Sequence, residues 1–201
     1  MGKKTASGTS AKRVAALASS VAAVRAGAAS ASDAAVGAES AGGAAERTAA
    51  RAGLRAAAKA TRAAATTLGL AKAAATPRLS SEETEALVSR LEQALIAVGV
   101  AEIQELAFAG VRLREAVVGA VGGLVESGAR LAAAFLVSEP GDEAINALVG
   151  VVWEHCDALS ERLPRDNRAA NGRALAKLGQ SCKDMLRELS EMVPEEEEEE
   201  E

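Results

Sequence analysis

Aromatic residues are nearly missing from this 201-residue chain, which has two Phe, one Trp and no Tyr. Strands favour aromatic and β-branched side chains, so a β-rich fold is excluded. The Ala, Leu, Glu and Arg that dominate instead are good helix formers. Histidine is scarcer still. His155 stands alone, which removes His-based dyads and most metal clusters, and Cys156 beside it points to another part of a helix surface. The two cysteines, Cys156 and Cys182, fit no ligand spacing and read as reduced, half-buried thiols of a cytosolic or nuclear protein. Gly119-Ala120-Val121-Gly122-Gly123 lacks the Lys-Ser/Thr ending of a phosphate loop. No catalytic group, metal or cofactor site is expected, and the chain reads as a non-enzyme.

Long apolar runs are also lacking. No stretch of ~18 apolar residues is free of charge and glycine, so no membrane span is expected. No compact Leu-rich segment follows Lys3-Lys4, which argues against a secretory signal. Gly2 opens like a myristoylation site, but Ala6 stands where Ser or Thr is needed.

Hydrophobic residues make up 49% of the chain, much of it alanine, which buries little area. The net charge of -5 hides two opposite regions. Residues 1–78 carry 12 Lys/Arg against three acids, a net of +9, whereas residues 79–201 carry 11 against 25, a net of -14. A basic arm and an acidic body follow.

Residues 1–43 are Ala-, Ser- and Gly-rich and read as mostly disordered, with a transient helix through Val14, Leu17, Val21 and Val24. Residues 44–193 read as a helical bundle domain. Its first helix has an apolar face of Leu54, Ala58, Thr61, Ala65 and Leu68. Arg47, Arg51, Arg55, Lys59 and Arg62 form a basic face, read as solvated, with nucleic-acid contact as the alternative. Pro77 ends this helix. Ser80 and Glu83 open the next as a capping box, with Leu87, Val88, Leu91, Leu95 and Val98 on one side. Gly99 and Gly110 read as weak points. Leu113, Val117, Val121, Leu124, Leu131 and Phe135 carry a third helix, whose glycines suggest close helix–helix approach.

After Pro140 come two more helical patterns. Ile145, Leu148, Val149, Val152, Cys156 and Leu159 line the first. Leu175, Leu178, Cys182, Met185, Leu189 and Met192 line the second, at the alternating steps of three and four that mark a coiled-coil seam. That seam is either bundle core or an exposed partner surface. Residues 160–167 form the loop between these helices, and Arg165, Asp166 and Asn167 are its N-cap candidates. Asp157 reads as a cap or solvated acid. Pro194 ends the last helix, and residues 194–201 are an acidic disordered tail, a solubilising end or a mask for a basic partner. The fold class is all-α: a four- to five-helix bundle with a helix–loop–helix hairpin at its C-terminal end.

The stretch Val151-Val152-Trp153-Glu154-His155-Cys156, followed by Leu163-Pro164-Arg165-Asp166-Asn167-Arg168, resembles the core motif of the cyclin-D-interacting (GCIP-like) protein family. The likeness spans roughly residues 50–193 and corresponds to the family's N-terminal half. Relatives carry a second helical half after the acidic stretch, so a short form or an incomplete gene model is expected here. The resemblance implies a negative regulator of cell-cycle progression and transcription, partnered by a D-type cyclin or a helix–loop–helix protein. It implies a nuclear and cytoplasmic location, with organelle import through the basic arm as the alternative. The motif residues Trp153, Cys156, Leu163, Pro164, Arg165, Asp166 and Asn167, with Leu178, Met185 and Leu189 of the seam, are the candidate interaction residues. A DNA-reading helix–loop–helix needs a basic extension of its first helix. Here that approach is Glu139-Pro140-Gly141-Asp142-Glu143, which would repel phosphate. The competing reading is a structural or adaptor bundle with no cyclin partner.

Overall fold

The structure, a computed structural model, describes residues 44–73, 79–137 and 143–192, with the isolated positions 19 and 23. The arm helix through Val14 and Val24, the Pro77 and Pro140 linkers and the acidic tail lie outside the described residues. Five helices run in order: α1 (Ala44–Ala73), α2 (Ser81–Leu106), α3 (Val111–Val137), α4 (Glu143–Asp157) and α5 (Asn167–Met192). A π-helical turn, Ala158–Arg162, extends α4. No strand occurs among the described residues.

Helices α1 to α4 close a ring in which each packs on its neighbours in sequence and α4 returns to α1. Short links between consecutive helices leave little choice but antiparallel neighbours. The apolar faces read from spacing are the core. Leu54, Ala58, Thr61, Ala65 and Leu68 of α1 are fully buried, as are Leu91 and Val98 of α2. Leu113, Val117, Val121, Leu124, Leu131 and Phe135 of α3 meet them, with Ile145, Val152 and Leu159 from the α4 side. Thr61 is tolerated in this core because its hydroxyl donates to the Ala57 carbonyl at 3.0 Å.

Local signals set the helix ends. Ser80 N donates to Glu83 Oε2 at 2.8 Å and Glu83 N to Ser80 Oγ at 3.1 Å, the reciprocal capping box. These bonds hold the Glu83 carboxyl below its ordinary pKa. Gly110 breaks the chain between α2 and α3 as anticipated. Gly99 does not; α2 runs through it to Leu106, because one helical glycine costs too little to end a well-packed helix.

Helix α3 is long and apolar enough to cross a membrane by length and composition, with a mean hydropathy of 1.4, yet half of that window is buried in the bundle. Its glycines do two different things. A Cβ at Gly128 would sit 2.8 Å from Leu95 Cδ1, and one at Gly123 would sit 2.6 Å from His155 Cε1. At those positions an alanine would force the buried Leu95 or the partly buried His155 side chain to shift. At Gly119 a Cβ would meet nothing within 4 Å.

Helix α5 departs from the ring. It begins at the same end as α3, touches that helix, and buries only Ala170.

The glycine contrast gives a paired prediction, checked by urea unfolding. Gly119→Ala raises stability by about 0.5–1 kcal/mol through helix propensity. Gly128→Ala lowers it by about 1–3 kcal/mol through overpacking against Leu95.

Candidate functional site

The hairpin is built from α1 outward. Arg51 projects from α1 into the corner where α2 ends and the α4–α5 turn passes. Its Nη2 donates to Glu105 Oε1 and to the Pro164 carbonyl, the latter at 3.0 Å. Both charged side chains are nearly out of solvent, Arg51 11% and Glu105 7% exposed. One turn along α1, Arg55 Nε donates to the Ser160 carbonyl at 3.1 Å. Two turns further, Arg62 pairs with Asp157 and lays its guanidinium 5.2 Å from the Trp153 ring centre. Trp153 Nε1 in turn donates to Thr66 Oγ1 at 3.2 Å.

These contacts correct two readings. The basic face of α1 is not simply solvated, because Arg51, Arg55 and Arg62 are long enough to reach acceptors on the neighbouring segments. Asp157 is likewise neither a cap nor a free acid; it is the partner of Arg62. Lys59 stays exposed.

The turn is shorter than residues 160–167 because α4 continues as the π turn to Arg162. Arg55 takes up the Ser160 carbonyl and Arg173 that of Arg162, so the end of the π turn is not left without donors. Leu163 is then extended, as a residue before proline prefers. Pro164 is buried and Leu163 half-buried, whereas Arg165, Asp166 and Asn167 are exposed.

Of the three cap candidates the structure assigns Asp166, whose Oδ1 accepts from Ala169 N at 2.8 Å. That backbone donor, ahead of the nearby Arg165 guanidinium, holds the Asp166 carboxyl below the usual range. Asn167 does something else: its Oδ1 accepts from Gly110 N at 2.7 Å, tying the turn to the α2–α3 corner. A Cβ at Gly110 would press on that amide at 3.1 Å.

Trp153 and Cys156, three residues apart, lie on the same side of α4 and differ in depth. Trp153 is 36% exposed against α1, and Cys156 is buried. Burial pushes the Cys156 thiol up to about 11, so it stays protonated and poorly nucleophilic at neutral pH. Cys182 is exposed, so neither cysteine is half-buried, and both are free. His155 is partly buried over Gly123. Among the described residues no group of three His, Cys, Asp or Glu is placed to hold a metal.

The seam of α5 faces solvent. Leu175, Leu178, Met185, Leu186, Leu189 and Met192 are 58–77% exposed, so among the described residues this stripe is not part of the bundle core. Between its first four turns and α3 runs an open groove of about 1010 Å³, lined by Ala116, Ala120, Leu163 and Pro164 and by the charged Arg162 and Lys177. Leu163 and Pro164 of the motif block and Leu175 and Leu178 of the seam line this groove together, and the seam continues beyond it as an exposed ridge from Met185 to Met192.

A family model described as Grap2 and cyclin-D-interacting, N-terminal, matches residues 53–195. The chain belongs to this family. No curated protein and no solved structure matches the chain. The match takes in most of α1 and all of α2 to α5, so both the arginine contacts from Arg55 onward and the ridge fall inside the family region.

Two outcomes follow from the joint. Arg51→Met strands a buried carboxylate and destabilises the bundle by about 3–5 kcal/mol, and adding Glu105→Leu recovers most of the loss in thermal or urea unfolding. Because the folded Asp166 carboxyl titrates below its unfolded value, its contribution is full above about pH 4 and disappears as pH falls through the lowered value. The protection of the Ala169 amide, the slowing of its exchange relative to the unfolded-chain rate at the same pH, therefore falls in acid. In Asp166→Asn the cap persists without that dependence.

Proposed function

We propose that this chain is a non-enzymatic protein-interaction module of the cyclin-D-interacting family, and that it binds a D-type cyclin or a helix–loop–helix protein through the α5 ridge and the adjoining hairpin. The observation that carries this reading is the ridge itself. Six large aliphatic or thioether side chains stand exposed along one face of a helix that the bundle leaves almost bare. Exposed apolar patches of this kind mark interaction sites, and an amphipathic helix laid into a partner groove is read through positions three and four apart.

The role proposed is sequestration, restraining cell-cycle progression and transcription from the nucleus and cytoplasm. Direct DNA reading is not part of it. The acidic approach to α4 opposes phosphate, and three of the arginines on α1 are committed to acceptors within the chain. No membrane contact is proposed either.

Pull-down of the full chain with a D-type cyclin tests the reading. Binding is expected, and Leu178→Glu together with Leu189→Glu abolishes it while the helical circular dichroism and unfolding midpoint stay close to those of the parent. A chain that fails to retain any D-type cyclin is an adaptor or structural bundle instead. Unchanged binding by the double variant moves the contact off the ridge.

A further inference from the structure

We propose that the α5 ridge is also a homodimer interface, in which two copies pair their α5 helices antiparallel and each lays its acidic end along the basic groove of the other. Three observations on this helix point to a second copy as the occupant.

The first is self-complementarity. The seam Leu175, Leu178, Cys182, Met185, Leu189, Met192 keeps the three-four alternation over about 25 Å of helix. In an antiparallel pair the first position of each step meets the second of the partner. Leu175 then faces Met192, Leu178 faces Leu189, and Cys182 faces Met185 of the other copy. Every seam residue thus meets a seam residue of the other copy.

The second is charge. From residue 167 to 182 α5 carries Arg168, Arg173 and Lys177 and no acid. From residue 183 onward the sequence carries ten acids against Lys183 and Arg187, including the glutamates at 195–201. A parallel pair would stack like charge on like charge at both ends. The antiparallel pair sets Lys177 beside Glu191 and turns the acid-free half of each α5 toward the acidic half of the other. The groove between α5 and α3 extends the basic end, adding Arg162 and Arg112, the latter shared with Glu115 at 2.9 Å. Opposed patches of this kind set orientation more than they add affinity.

The third is area. At about 100 Å² of apolar surface per large side chain, the six exposed residues offer roughly 600 Å² per copy, or about 1,200 Å² in the pair, the lower edge of stable interfaces. An area of this size fits a reversible dimer rather than an obligate one. Two-fold symmetry closes the contact at two copies.

No cyclin takes part in this pairing, so its test uses the chain alone and its failure leaves the cyclin reading untouched. Sedimentation of the full chain from about 1 to 100 µM is expected to show a rise from the 20.3 kDa monomer to twice that mass. Leu178→Glu with Leu189→Glu stays monomeric and helical throughout. Arg173→Glu with Lys177→Glu, which spares the seam, weakens dimerisation about tenfold or more. Orientation is read by air oxidation in a Cys182→Ser background. Leu175→Cys combined with Met192→Cys gives an intermolecular disulfide, whereas Leu175→Cys alone gives none.

A chain that stays monomeric at the top of the range overturns the proposal, including one whose ridge is covered by its own residues 12–25. A dimer indifferent to Leu178 and Leu189 does so as well. Ready cross-linking of Leu175→Cys to itself overturns the antiparallel arrangement.

Discussion

A buried guanidinium joins three separate parts of this fold. Arg51 ties α1 to the end of α2 through Glu105 and to the hairpin through the Pro164 carbonyl. Its position matters because α1 is an alanine-rich helix with only two buried leucines, Leu54 and Leu68. Alanine contributes little transfer free energy, so packing alone holds α1 weakly. Arginines supply what the small side chains cannot: reach. Arg55 and Arg62 repeat the device on the π turn and on α4, and the result is a line of contacts from one helix to three neighbours. The joint is not fully satisfied, since the Arg51 Nε is buried without an acceptor among the described residues. Such a pair fixes which surfaces meet more surely than it adds net stability.

Much of this architecture was legible in the sequence, for a physical reason. Residues recurring at three and four must share a helix face, and on α1 to α4 the faces found that way are the faces buried. The same rule fails to say where α5 belongs. An apolar stripe that packs inside a bundle and one that waits for a partner have the same spacing, and only the neighbours decide. Here α5 meets one helix, over its first turns, and the stripe is left outside. The family motif was legible too, but not the work done by its residues. Pro164 and Cys156 are interior, Asn167 anchors a corner and Asp166 caps, so the motif reads as hairpin construction.

Other features had no local signature. Arg51 and its two partners are 54 and 113 residues apart along the chain, and no window of sequence contains them. The one available hint was that Arg51, Arg55 and Arg62 lie on a common face, which fits a solvated helix equally well. The π turn was likewise hidden, and one donor to its carbonyls, Arg55, lies 105 residues away. Glycine gave a half-answer. Close approach holds at Gly128 and Gly123, but Gly119 looks the same in the sequence and meets nothing.

The single tryptophan of the chain sits at the α1–α4 seam, hydrogen-bonded to Thr66 and stacked under Arg62. Indole emission depends on such surroundings, so Trp153 is a built-in optical reporter for the closure of the four-helix ring. It lies on α4, however, and neither of its partners belongs to α5. Fluorescence would therefore register loss of the bundle while remaining blind to whatever the projecting helix binds, folds against or releases.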